Sequence, residues 1–188
     1  MKKVILLLVV ALSVVTASAQ IKVGLNGGVG IPMGNDADVM KTGFGGGISA
    51  EYLVTPNIGV GLSYSFNSFG LKDEYLEIMD MVGVDASFSI SPTVLTGRYY
   101  FQPENSIKPY AGLDLGIYSQ KMSMKVLGFS VGSISTSDFG LAPVVGLQFG
   151  LSQKLALDVN AKYHYVFTEG DSSSFIGFNL GLVYTFGK

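Results

Sequence analysis

The segment Leu155–Phe167 (LALDVNAKYHYVF) carries the densest chemistry in the chain, with Asp158, Asn160, Lys162 and His164 at every second position. In an extended strand that spacing puts all four on one face. A carboxylate, an ammonium and an imidazole so placed can pair as ions, or the imidazole can act as a general base. Base catalysis needs a nucleophile within hydrogen-bond reach and a group to orient the ring. No serine stands beside His164 on this segment. His164 therefore reads as a structural histidine, and no enzyme activity is expected. It is the only histidine and there is no cysteine, so imidazole or thiolate metal sites and disulfides have no support, and no cofactor is expected. The runs Gly27-Gly28-Val29-Gly30 and Gly45-Gly46-Gly47 are rich enough in glycine to suggest a phosphate loop. Neither leads into a helix or a Gly-Lys-Ser/Thr sequence. They read instead as glycines that let a narrow sheet curve.

The elements that would hold these residues are strands. From Ile21 onward the chain alternates. Ile21, Val23, Leu25, Val29 and Ile31 share one face, with Lys22, Gly24, Asn26, Gly28 and Gly30 on the other. Similar runs of period two begin near Gly43, Ile58, Asp85, Tyr110, Gly140, Leu155 and Phe175, eight in all. Each is about 10–13 residues long, enough for a tilted strand to cross a bilayer. Short turns at Thr55–Asn57, Gln102–Ile107 and Ser152–Lys154 alternate with longer connections. Tight periplasmic turns opposite longer outer loops are the signature of an outer-membrane barrel, and an even strand count leaves both termini on the periplasmic side. In the fourth run Phe88 and Ile90 are even but Leu95, Tyr99 and Phe101 odd, so a bulge is expected at Pro92 between them. Lys121–Asp138 keeps some alternation. It is expected to prolong the fifth and sixth strands as a hairpin, or to form its own pair and raise the count to ten.

Composition agrees. The 188 residues include 25 glycines, 48% are hydrophobic, only 14% are charged and the formal net charge is −2. Disorder is excluded, because a disordered chain is rich in charge and poor in apolar residues. With Lys+Arg at 12 against Asp+Glu at 14 and no basic cluster, no nucleic-acid partner is expected. The N-terminus reads as an address. Lys2 and Lys3 precede the apolar run Val4–Val15 and then Ala17-Ser18-Ala19, the layout of a secretory signal peptide cleaved after Ala19. Residues 1–19 are thus expected to be the signal peptide and 20–188 one barrel domain. With no cysteine at that site a lipoprotein is excluded, and with Lys188 closing the last strand no periplasmic domain is expected.

Volume decides which face looks outward. An eight-stranded barrel has little room inside. The small, polar face therefore belongs in the lumen and the Leu/Val/Ile/Phe/Tyr face in lipid. Lys22, Asn26, Glu51, Asp114, Gln148, Asp158, Asn160, Lys162, His164 and Asn179 then point inward, joined by Arg98 through the expected phase change. Counting up from the turns puts Glu51, Arg98 and Asp158 at one depth, as an ion-pair layer, with Lys162 and Asp114 as a second layer above. Such pairing is required because a lone buried charge is costly. The acidic stretch Phe69–Val84, with Leu71, Tyr75, Leu76, Ile78, Met79 and Met81 interleaved, is expected to form a short amphipathic helix capping the mouth.

Asn179, Gly181, Tyr184 and Phe186 in the last run follow a polar–x–Gly–x–x–aromatic–x–aromatic pattern. This resembles the signal by which outer-membrane barrels present their final strand to the assembly machinery, although Gly187 and Lys188 follow the last aromatic. Together with the Gly-rich first strands, the proline of the fourth and the Lys108-Pro109-Tyr110-Ala111-Gly112 start of the fifth, the region from Gln20 to Lys188 resembles the small outer-membrane β-barrel family. That family is related to the membrane domain of OmpA, with PorT-like barrels of Bacteroidota as kin. The resemblance implies a Gram-negative outer-membrane location, lipid and the assembly machinery as partners, and a structural or surface-interaction role with outer loops open to a further partner. The competing expectations are a narrow pore for small solutes and a secreted or periplasmic lipocalin-like binding protein.

Overall fold

The computed structural model describes residues 20–72, 84–102, 104–126, 129–168 and 172–187. Within them eight antiparallel strands close into one barrel. The strands are β1 (Gln20–Met33), β2 (Gly43–Leu53), β3 (Ile58–Phe69), β4 (Val84–Tyr100), β5 (Ile107–Val126), β6 (Phe129–Gly150), β7 (Leu155–Phe167) and β8 (Ser172–Phe186). Each pairs with its sequence neighbours, and β1 closes the ring on β8 from Ile21↔Phe186 to Met33↔Ser174. Closure matters because the hydrocarbon offers no partner for an open strand edge. The strand count is eight and not ten. The 121–138 stretch is the upper part of β5 and β6, paired from Ile107↔Phe149 up to Val126↔Phe129. The leader expected at 1–19 lies outside the described residues. So do residues 73–83, the body of the expected amphipathic cap.

Period two does the sorting that the sequence requires. Leu25 is 66% exposed and Lys22, on the other parity of the same strand, only 7%. Phe44, Ile48, Leu62, Val145, Leu180 and Leu182 likewise face out, which places the apolar band against lipid. A soluble lipocalin-like carrier would carry this band inside, so that expectation fails. Glycine answers the same asymmetry. A Cβ on inward-facing Gly28 would collide with the Phe178 carbonyl, whereas one on outward-facing Gly27 meets nothing nearer than the Gly45 carbonyl at 3.6 Å.

The bulge expected at Pro92 is absent. The β4–β5 register runs unbroken from Val84↔Val126 through Pro92↔Tyr118 to Tyr100↔Tyr110. On the β3 side the same offset holds above and below a gap between Tyr64↔Thr93 and Asn67↔Ile90. Pro92 has no N–H to give to β3, so the ladder opens there instead of slipping. Asn67 Nδ2 reaches across to donate to the Ile90 carbonyl at 3.4 Å. Even-numbered residues of β4 from Phe88 down therefore face the lumen, and what changes at Pro92 is the chemistry of that lumen. Ile90 and Val94 are buried in its upper part, Arg98 and Tyr100 below. The register shift that does occur lies near the outer tip, between Met124 and Lys125.

At the outer mouth a single helical turn, α1 (Asp36–Val39), is tied to the rim. Ser173 Oγ and the Ser174 N–H both donate to Asp36 Oδ2, at 2.5 and 3.2 Å. Met40 bridges to Leu71, which draws the β1–β2 and β3–β4 connections together over the opening.

Candidate functional site

The chemistry-bearing residues meet in the lumen, in three tiers. The lowest tier is built on Tyr100 and Tyr110, which share the inward parity of Thr96 and Asp114. Tyr100 donates to Glu51 Oε1 at 2.8 Å. Lys22 Nζ sits 3.7 Å above the Tyr100 ring, 3.7 Å from Glu51 Oε1 and 3.2 Å from Gln148 Oε1. Asp158 collects three donors: the Tyr110 hydroxyl, which lies 3.0 Å from both oxygens, Gln148 Nε2 at 3.1 Å and Asn160 Nδ2 at 2.6 Å. Asn179 Nδ2 extends the chain to Asn160 Oδ1 at 3.0 Å. A buried carboxylate so fully bonded avoids the cost of unmet desolvation.

The middle tier is a charge triad on Asp114, which is 1% exposed. Lys162 Nζ donates to Asp114 Oδ2 at 2.9 Å. Arg98 Nη1 stands 2.5 Å from Asp114 Oδ1 and also donates to the Gly97 carbonyl at 3.0 Å. The guanidinium and the Lys162 ammonium thus bracket the Asp114 carboxylate, one at each oxygen. Above the triad the lumen turns apolar. Phe69, Ile90, Val94, Tyr118, Val166 and Phe175 form one buried cluster, with Met40 and Phe88 packed against it. His164 is set into this plug. Its ring stacks on Phe175 at 4.2 Å between centroids, and Nδ1 shares a 3.0 Å hydrogen bond with the Tyr118 hydroxyl.

Among the described residues the lumen therefore offers no open path. A cavity of about 60 Å³ remains among the polar side chains, lined by Asn26, Ser63, Thr96 and the charged residues. That is room for a few waters at ~10–15 Å³ each. Below it Lys22 and Tyr100 form the floor shared with the periplasmic vestibule. Lys22, Arg98 and Lys162 are matched by Glu51, Asp114 and Asp158, so the described lumen residues cancel in formal charge.

Of the residues picked from sequence, Asp114 and Lys162 meet directly. Arg98 does not lie between Glu51 and Asp158. It reaches Asp114 on the neighbouring strand, whereas Glu51 takes Lys22 and Tyr100, and Asp158 takes Tyr110, Gln148 and Asn160. Counting residues from the turns ignores the stagger that closing a barrel imposes on successive strands; Glu51 and Asp158 do share the lowest tier, joined through Tyr100 and Gln148, but Arg98 falls in the tier above. His164 stays outside the charge network. Sequence reading missed Tyr100, Tyr110 and Tyr118 as its hydrogen-bonding frame, although their parity with Thr96 and Asp114 was a usable signal. It also missed the apolar plug, because Phe88 and Ile90 read as a change of face. Asn179 and Gly181 lie on the lumen parity of β8. Tyr184 and Phe186 face outward at its periplasmic end, as an edge-to-face pair at 4.7 Å.

The sequence matches the family of the outer membrane protein beta-barrel domain over residues 4–186. No curated protein matches the chain. Among solved structures, a major outer membrane protein from Thermus thermophilus superposes with a TM-score of 0.66 at 15% identity, covering 88% of this chain and 99% of that one. Neisserial surface protein A does so with a TM-score of 0.59 at 14% identity, covering 89% and 97%. Ail, the attachment invasion locus protein of Yersinia pestis, gives 0.55 at 21% identity, covering 90% and 98%. At these identities the likeness is one of fold.

Proposed function

The chain belongs to the outer membrane protein beta-barrel domain family, and from that premise we propose a closed, non-catalytic outer-membrane barrel that works through its outer surface. The observation that carries this reading is the occluded lumen, in which a hydrogen-bonded lower tier, the Asp114 triad and the Phe175 plug stand in series. Such a barrel anchors and presents. Among the described residues its strands bury no substrate-sized cavity beside a nucleophile, and His164 spends its ring on Phe175 and Tyr118. One of the structural neighbours is itself named for attachment and invasion, which favours a surface role. Residues 1–19 serve as the export signal, cleaved after Ala19. Asn179, Gly181, Tyr184 and Phe186 serve as the final-strand signal to the assembly machinery, and an outer partner meets the extracellular elements.

Planar-bilayer recording tests the occlusion. The purified barrel is expected to stay silent at moderate voltage in monovalent salt. Steady single-channel steps would overturn the reading in favour of a narrow pore.

A further inference from the structure

The barrel wall is closed only as far up as Gly140. β6 pairs with β7 from Gly150↔Ala156 up to Gly140↔Val166, and β7 ends one residue later at Phe167. β6 itself continues to Phe129, paired with β5. Among the described residues nothing pairs with β6 above Gly140 on the β7 side. The connection from β7 to β8 is four residues long, 168–171.

Two turn bonds fix which backbone groups this edge presents. The Gly150 N–H donates to the Ser106 carbonyl and the Leu151 N–H to the Leu155 carbonyl. Even-numbered residues of β6 therefore bond to β5, and odd-numbered ones turn toward β7, since the pattern alternates strictly in an antiparallel ladder. Pro143 agrees, for the β6–β7 ladder is interrupted between Leu141↔Tyr165 and Val144↔Lys162, where its N–H is lacking. Among the described residues, Ser133, Ser135 and Ser137 thus aim N–H and C=O groups away from any strand, along about 13 Å, while Phe139 below them stacks its ring on Phe167.

This edge has none of the usual guards. From Gly132 to Phe139 there is no proline or lysine, the one charge is Asp138, and Gly132 through Ser137 are exposed. Natural sheets leave such an edge unguarded at a cost in aggregation, unless something is meant to pair with it. We propose that the upper edge of β6 is a docking site for an extended segment of a partner polypeptide, added antiparallel as a further strand. The added strand would run upward in line with β7 and continue the ladder that stops at Gly140.

A second copy of this chain is a poor occupant. Two copies in one membrane share one orientation, so their β6 strands run the same way and cannot pair antiparallel. The side chains state what the partner should carry. On the lumen parity Ile134 is 71% exposed and lies across from Met122, which suits an apolar residue. On the opposite face Lys121 lies exposed across from Ser135. Serine is short enough for the lysine to reach over it to a carboxylate on the next strand.

This inference deepens the surface-interaction reading and rests on it. Its test is binding of a fluorescein-labelled peptide of about eight residues, alternating valine and glutamate, to the barrel in detergent micelles, read by anisotropy. Ser135→Pro removes one outward N–H and leaves the β5–β6 ladder whole, and Ser135→Ala keeps that N–H. Heat-modifiable gel mobility confirms that both variants fold, with Ser137→Pro held as the alternative if Ser135→Pro does not. Binding by the wild type and Ser135→Ala, weakened about tenfold or more in the proline variant and also weakened by Lys121→Glu, supports the docking edge. Binding that ignores the proline, or no binding at millimolar peptide, overturns it. Self-association abolished by the proline also overturns it, in favour of a second copy. A barrel that conducts fails the surface reading whatever the peptide does, whereas a silent barrel that ignores the peptide fails only the edge.

Discussion

Replacing Asp114 by asparagine keeps the shape of the side chain and removes one charge from the most buried ionic site described in the lumen. Arg98 Nη1 and Lys162 Nζ, 2.5 and 2.9 Å from its two oxygens, would be left facing each other across a neutral amide. At an effective dielectric constant of about 20, each attraction between unit charges at 4 Å is worth about 4 kcal/mol. Relief of the carboxylate's own desolvation offsets part of the loss. Removing one partner of a buried pair costs about 3–5 kcal/mol in practice, and Asp114→Asn is expected to fall in that range. The assay is urea unfolding in detergent micelles followed by far-ultraviolet circular dichroism. There is no tryptophan to follow. The deficit should persist in high salt, since a buried site is little screened. Arg98→Gln added to Asp114→Asn should cost less than the two single changes summed, because the second change removes a cation already left without its partner. A loss below about 1 kcal/mol, or strictly additive costs, would refute the triad as a tier that holds the barrel together.

Two further changes test the sorting of faces. Gly28→Ala, which drives a Cβ into the Phe178 carbonyl, should destabilise the barrel by about 1–3 kcal/mol, while Gly27→Ala on the lipid side should be close to neutral; both are read by the same urea titration. Leu182→Arg places a charge on the lipid face beside Leu25 and Leu157; it should cost about 2–4 kcal/mol and slow insertion into lipid vesicles, and an unchanged insertion yield would place that face elsewhere than in lipid.

Faces were legible in the sequence because strand parity is local. Leu155 to Phe167 alternates so cleanly that Asp158, Lys162 and His164 could be placed on one side without any tertiary information. The glycine excess told the same story from the side of volume. Even the prolonged β5–β6 hairpin showed in the weak alternation of Lys121–Asp138. Parity misled where the lumen itself changes character. Phe88 and Ile90 face inward like Arg98, but apolar inward residues read as outward ones when the interior is assumed polar throughout.

The residues alone thus settle the barrel and the polar side chains that line its lumen. All of that follows from a period of two and a narrow bore. Which inward residue meets which was decided only by the tertiary structure. Arg98 found Asp114 rather than Glu51 or Asp158 because barrel closure staggers each strand against the next, and that stagger is a property of the whole ring. The free edge of β6 is of the same kind. The sequence of Ser133 to Ser137 says strand, but among the described residues only the early end of β7 at Phe167 leaves its N–H and C=O groups without a neighbour.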